Sequence, residues 1–225
     1  MKKYIKIFWL SIVKAFSEQK KFWRNPVYAW SSVLSLMMFF ASLIINYYAG
    51  TYADMRSSNY VQDIILDNIP LFETKFIFIY GALFVIIFVC FLLFFMPRYF
   101  PFLLKSVALL IVIRSLFVIM THLAPYPERA FLPTNHFIGK FTFGADLFFS
   151  GHTAFPYMLA LIYWQNKTLK ITFLLFSVIF AASVLLGHLH YSIDVFAAYF
   201  ITYSVYRIAM KFFREEYGIA HHVTP

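Results

Sequence analysis

Apolar residues in this chain run together rather than alternating with polar ones. Six runs, at 27–48, 76–96, 101–123, 147–164, 171–187 and 193–210, are almost free of charge. A helix needs about 20 apolar residues to cross the hydrocarbon core, fewer where neighbours cover it, so each run predicts a membrane helix. The last three are short. Pro97 and Pro101 separate the second run from the third, because proline cannot continue a helix. Residues 1–24 follow another pattern. Ile5, Phe8, Trp9, Ile12 and Phe16 share one helical face in a lysine-rich stretch, which predicts an amphipathic helix lying on an anionic membrane surface. No small-residue cleavage site follows, so a removed signal peptide is not expected. The predicted architecture is an all-α integral membrane protein. It has an interfacial segment over 1–24, a six-span domain over 25–214 and a tail over 215–225.

Composition agrees with a bilayer as solvent. The chain is 62% hydrophobic and 22% aromatic, above the roughly 45–50% apolar usage of soluble domains. Lone Cys90 cannot form an intrachain disulfide and reveals no redox compartment. The +9 net charge would suit nucleic acid in a soluble protein. Here its distribution sets orientation instead. Lys2, Lys3, Lys6, Lys14, Lys20, Lys21, Arg24, Arg98, Lys105, Lys167, Lys170, Arg207, Lys211 and Arg214 fall on one predicted side. Arg56, Lys75, Arg129 and Lys140 fall on the other. The positive-inside rule makes the first side cytoplasmic and puts both termini there. The loop from Gly50 to Lys75 holds Asp54, Asp63, Asp67 and Glu73 and reads as a solvated acidic cap, with substrate recognition as the alternative.

Two motifs carry chemistry, both on the predicted outer side. Ser150-Gly151-His152-Thr153 reads as a helix start, with serine as N-cap and glycine allowing close backbone approach. The free N–H groups and partial positive charge of such a start suit a phosphate. His190-Tyr191-Ser192-Ile193-Asp194 places His190 and Asp194 four residues apart, on one face of a helix. Asp194 can then orient one ring nitrogen of His190 and leave the other free to attack. Taken alone, that pair would serve equally well to fasten a helix end. Two imidazoles and a carboxylate are sufficient for phosphoryl chemistry without a metal: one histidine attacks phosphorus and the other protonates the departing oxygen. Arg114 lies inside the third span, where a guanidinium partners a carboxylate such as Asp146 or Asp194, or lines a wet cavity. His188 reads as a hydrogen-bonding neighbour of the site or an interfacial residue. His122 and His136 read as loop or interface residues, and His221 and His222 as part of the tail.

The two motifs resemble the carboxy-terminal core of the type 2 phosphatidic acid phosphatase superfamily, and more closely the sphingomyelin synthase family of membrane phosphotransferases. Asp146 through Thr153 follows the family's G-D-x-x-x-S-G-H-T pattern, with Ala145 inserted after Gly144. His190 through Tyr199 follows H-Y-[ST]-x-D-V-x-x-A-Y throughout. Residues 114–127 are similar to the family's arginine-containing third span and its proline-rich exit. The phosphatase branch carries K-x6-R-P and S-R-x5-H-x3-D. Here Lys105 and Arg114 have the wrong spacing, and Val184 follows Ser183 where arginine is expected. The departures favour the synthase branch.

The resemblance implies a six-span fold, catalysis by His190, His152 and Asp194, and no metal or other cofactor. Ser150, Gly151, Thr153, Arg114, Asp146, His188 and Tyr191 are the candidate substrate-binding residues. The expected reaction moves a phospho-head group from a glycerophospholipid to a lipid hydroxyl such as that of ceramide or diacylglycerol. A lipid phosphate phosphatase or phospholipase C, with water as acceptor, is the nearest rival. A transporter with a histidine–carboxylate relay would place these residues near mid-membrane, and a metal-binding module lacks further ligands at a suitable spacing. No nucleic-acid partner is expected. The short, lysine-rich chain is expected in a bacterial plasma membrane, with the site on the non-cytoplasmic face.

Overall fold

The computed structural model describes residues 2–130 and 147–222. Its helices are α1 (Lys2–Trp23), α2 (Pro26–Arg56), α3 (Ala82–Phe95), α4 (Phe100–Met120), α5 (Gly151–Ile162), α6 (Lys167–Leu186), α7 (Ser192–Phe212) and α8 (Arg214–His221). A π-helical turn, Ile77–Gly81, leads into α3, and a 3-10 turn, Pro97–Tyr99, leads into α4. No strand occurs among the described residues.

Four of the stretches predicted to span a membrane have both the length and the composition to do so: Pro26–Arg56, Ile77–Phe95, Pro97–Met120 and Lys167–Leu186. The other two differ from expectation for separate reasons. In the 147–164 run only 12 residues are helical, about 18 Å of rise against a hydrocarbon core of about 30 Å. That helix, α5, is wrapped by α4, α6 and α7, with Ala154, Met158, Leu159, Ala160 and Ile162 wholly buried. Protein therefore satisfies its surface. α7 has 21 residues, but Asp194, Arg207 and Lys211 lower its hydropathy.

Large apolar side chains face outward. On α2, Trp30, Met37, Phe40, Ile44 and Tyr48 are all exposed, at helical spacing. On α7, Ile193, Phe196, Phe200 and Tyr203 form a similar stripe. Apolar surface this continuous requires an apolar solvent. The inward face of α2 is the reverse. Ser32, Ser35, Ser42, Ala49, Gly50 and Ala53 are buried there, small enough for α4 to approach closely.

The connections gather at two opposite ends of the bundle. At one, Tyr28 Oη donates to the Pro97 carbonyl at 2.7 Å, and Gln19 Nε2 donates to those of Leu93 and Phe94. Lys105 counts among the cations of the predicted cytoplasmic side, at the start of the 101–123 run. It lies inside α4, buried, with Nζ 2.5 Å from Glu216 Oε1 of α8, which also accepts from Ser31 Oγ. α8 folds back beneath the bundle and supplies a carboxylate that the apolar pattern did not foretell. Burial pushes the Glu216 carboxyl up, but the bonds from Lys105 and Ser31 more than offset it and hold it below its ordinary value.

At the opposite end, Ser58 N donates to His122 O, Ala124 N to Asn59 O, Phe72 N to Leu186 O, and Ala130 N to Gly187 O. Loop 57–75 is thus strapped to segment 121–130 and to the α6–α7 connection. Both histidine motifs lie at this end.

Candidate active site

α5 begins where Ser150 ends an extended stretch (φ −60°, ψ 112°) and turns its hydroxyl back on the helix. Ser150 Oγ accepts from the Thr153 N–H at 3.4 Å and from Thr153 Oγ1 at 3.2 Å, the N-cap that the motif predicted. Thr153 is wholly buried, and its carbonyl accepts from Ser177 Oγ of α6 at 2.9 Å. His152 therefore stands in the first turn, half-buried. Its ring stacks on Phe78, with centroids 3.8 Å apart and planes 24° from parallel, and meets Phe180 edge-on. Phe78 sits on the π-helical turn, a distortion that often marks functional sites.

His190 and Asp194 flank the start of α7. His190 is buried, with Nδ1 3.6 Å from Asp194 Oδ2. That is ion-pair range rather than the hydrogen bond the four-residue spacing suggested. Asp194 Oδ2 is already engaged with the Tyr191 N–H at 3.0 Å, which draws it toward the helix end. Asp194 Oδ1 and His190 Nδ1 remain buried without hydrogen-bond partners. Such bonds are commonly long before substrate binds and tighten in the complex.

The two motifs meet through the backbone, where the Ser150 N–H donates to the Asp194 carbonyl at 3.1 Å. The starts of α5 and α7 are therefore side by side. His190 is close enough to His152 to act on it electrostatically, as is Arg114. Arg114, six residues before the end of α4, donates from Nε to the Phe149 carbonyl at 2.7 Å. Its guanidinium passes over Gly151, where an added Cβ would stand 3.4 Å from Nε. That is ordinary van der Waals distance, so the approach of the arginine does not require a glycine here. Asp146, a proposed partner of Arg114, lies outside the described residues, as do His136 and Lys140.

The remaining candidates support this end of the bundle. Tyr191 is buried, with its hydroxyl donating to Ala124 O at 2.8 Å and accepting from Val61 N at 3.3 Å. It ties loops together. His188, buried and at φ 50°, places Nδ1 2.9 Å from the Glu128 carbonyl and its ring edge-on to Tyr126. His122 packs beside Tyr52. His221 is buried at the far end of α5 from His152, with Nε2 2.9 Å from the Ile162 carbonyl.

Sequence reasoning missed Phe78 and Asp63. The acidic loop is not simply a solvated cap, because Asp63 is buried and its Oδ2 accepts from the Ser192 N–H at 2.6 Å. Its Oδ1 accepts from Ile65 N and Leu66 N. Burial raises the Asp63 pKa, but the N–H groups of Ser192, Leu66 and Ile65 outweigh it and hold the carboxyl below its ordinary value. Among the described residues, no group of three His, Cys, Asp or Glu side chains is placed to share a metal ion.

Residues 144–211 match the family model described as PAP2 superfamily C-terminal, a segment that contains both histidine motifs. The match supports the PAP2 superfamily over that stretch and does not single out a branch within it. No curated protein and no solved structure matches the chain.

Proposed function

We propose that this protein is a membrane phosphotransferase that moves a phospho-head group from a glycerophospholipid to a lipid hydroxyl through a phosphohistidine. The PAP2 superfamily match supports lipid-phosphate chemistry of the phosphatase or phosphotransferase type. The observation that carries the reading is the Ser150–Asp194 backbone bond, which brings His152 and His190 to one end of the bundle between two helix starts. The N-terminus of α5 and the Arg114 guanidinium beside Gly151 suit a phosphate diester there.

In the first step, His190 attacks phosphorus through Nε2, the nitrogen turned from Asp194. The N–P bond forms as the P–O bond to diacylglycerol breaks. His152 gives its proton to the departing oxygen; the neighbouring anionic phosphate favours the imidazolium that this requires. Asp194 stabilises the positive charge that develops on His190. In the second step, His152 takes the proton of the acceptor hydroxyl. The hydroxyl oxygen bonds to phosphorus, the N–P bond breaks, and His190 is released unchanged. The donor is a glycerophospholipid, and the acceptor is ceramide or a diacylglycerol-like lipid. The site faces the non-cytoplasmic side of a plasma membrane, with six crossings and both termini in the cytoplasm. The basic end of the bundle, rich in Lys20, Lys21, Arg24, Arg98, Lys167 and Lys170, supports that orientation.

Product identity tests the reading. Purified protein in vesicles of phosphatidylcholine, phosphatidylethanolamine and phosphatidylglycerol with ceramide yields a new head-group lipid under this account. Free phospho-head group or free phosphate as the sole product makes water the acceptor and the protein a hydrolase.

A further inference from the structure

The distance between His190 and Asp194 is set by the backbone that joins them, since neither side chain is hydrogen-bonded to the other. Asp194 Oδ2 is bound to Tyr191 N, so the pair follows whatever fixes residues 191–194. The first N–H groups of a helix have no partner within it and must find one elsewhere. For Ser192, the first residue of α7, that partner comes from 129 residues away: Asp63 Oδ2, at 2.6 Å. The other oxygen of Asp63 is fixed by Ile65 N and Leu66 N, so the carboxylate cannot swing away.

Anchoring the loop does not require this bond. Loop 57–75 is also held by Ser58 to His122 O through both N and Oγ, by Asn59 O to Ala124 N, and by Asp67 Oδ1 accepting from Tyr126 Oη at 2.6 Å. What Asp63 adds is a buried anion against the first turn of α7, two residues from His190 and two from Asp194. Its neighbour Ile64 points outward, 82% exposed, so the loop turns inward at Asp63.

We propose that Asp63 is a positioning residue for the transfer reaction, holding the start of α7 so that His190 and Asp194 keep their relative placement. The inference rests on the phosphotransfer reading above and adds a residue to that site from outside both motifs. Asp63 touches neither substrate nor phosphorus. It acts through Ser192.

The test uses Asp63→Ala, which leaves no acceptor for the Ser192 N–H, and Ser192→Pro, singly and together, with His190→Ala alongside, in the vesicles described above. Proline is accepted at the first helical position and lacks the N–H that Asp63 binds. Tyr191, at φ −66° and ψ 156°, already has the backbone that a following proline demands. Helicity and elution from a sizing column establish that each variant folds. Each single variant is expected to lose about 10- to 100-fold in kcat with KM changed less than about twofold. The double variant is expected to lose no more than the worse single one, because both changes remove the same bond. Parental kcat in either folded single variant overturns the inference, as do losses that multiply in the double variant. If Asp63→Ala does not fold, Ser192→Pro decides the matter by the same kcat and KM criteria. Turnover in His190→Ala would instead overturn the phosphotransfer reading. A silent His190→Ala beside fully active Asp63→Ala and Ser192→Pro would overturn only the role given to Asp63.

Discussion

The N–H of Ser150 and the carbonyl of Asp194, 3.1 Å apart, close the distance between two helix starts that lie far apart in sequence. Ser150 caps the helix that carries His152, and Asp194 sits in the first turn of the helix that follows His190. The two starts differ: that of α7 already holds carboxylates on its Tyr191 and Ser192 N–H groups, so the start of α5 is the one suited to a further anion.

If the two histidines act as one unit, their losses do not add. His190→Ala and His152→Ala are each expected to reduce turnover by at least about 10³-fold, and the double variant by little more than either alone. Steady-state rates of lipid product formation for the three variants test this. Losses that multiply would mean that the histidines serve separate steps or sites.

Arg114 is gripped by the Phe149 carbonyl and lies over Gly151. Lysine keeps the charge but loses the planar fork that can hold the Phe149 carbonyl and a second acceptor together. Arg114→Lys is expected to lower kcat/KM by about 10- to 100-fold. Vesicle assays across donor concentration provide the measurement, and an unchanged kcat/KM would remove Arg114 from the site.

Gly187 is needed for space. A Cβ there would overlap Thr74 Oγ1 and stand 3.2 Å from the Ser183 carbonyl. Gly187→Ala is expected to cost about 1–3 kcal/mol of stability. Thr74 Oγ1 is buried without a hydrogen-bond partner, so removing it forfeits no bond. Adding Thr74→Ala should therefore restore much of the loss, as thermal unfolding in detergent would show.

Acid should loosen the opposite end of the bundle. The Glu216 carboxyl is held below its ordinary value of 4.5 in the folded protein. Its contribution is thus fully present above that value and is lost as pH falls through the depressed one. Glu216→Gln is expected to flatten this part of the acid limb. It should also lower stability at neutral pH by about 3 kcal/mol, since buried Lys105 loses its carboxylate. Lys105→Met added to Glu216→Gln should recover most of that loss. Unfolding midpoints across the acid range test both statements.

Much of this was readable in the sequence, for identifiable reasons. Four apolar runs are long enough that composition alone marks them, and Pro97 breaks the chain between two of them. Ser150 and His152 were visible because a helix start has a local signature. Helical spacing paired His190 with Asp194, but His190 precedes α7 and extended Tyr191 lies between it and the helix, so the two do not share a helical face. What escaped notice depends on contacts between distant segments. Asp63 reaches Ser192 across 129 residues, and Lys105 is paired only because α8 folds back to bring Glu216 to it. Neither leaves a periodic trace. Phe78 was one aromatic among many; only its place on a π-helical turn sets it against His152. The 147–164 run overstated α5 because a helix enclosed by protein looks as apolar as one enclosed by lipid.

The covalent intermediate is the central claim, and it can be sought directly. Protein mixed with phospholipid labelled in its head-group phosphate, quenched during turnover and digested, should carry the phospho-head group on the peptide containing His190. That adduct should be absent from His190→Ala. The same mass increment on His152 or on any other residue, or lipid product formed by His190→Ala, would contradict the account.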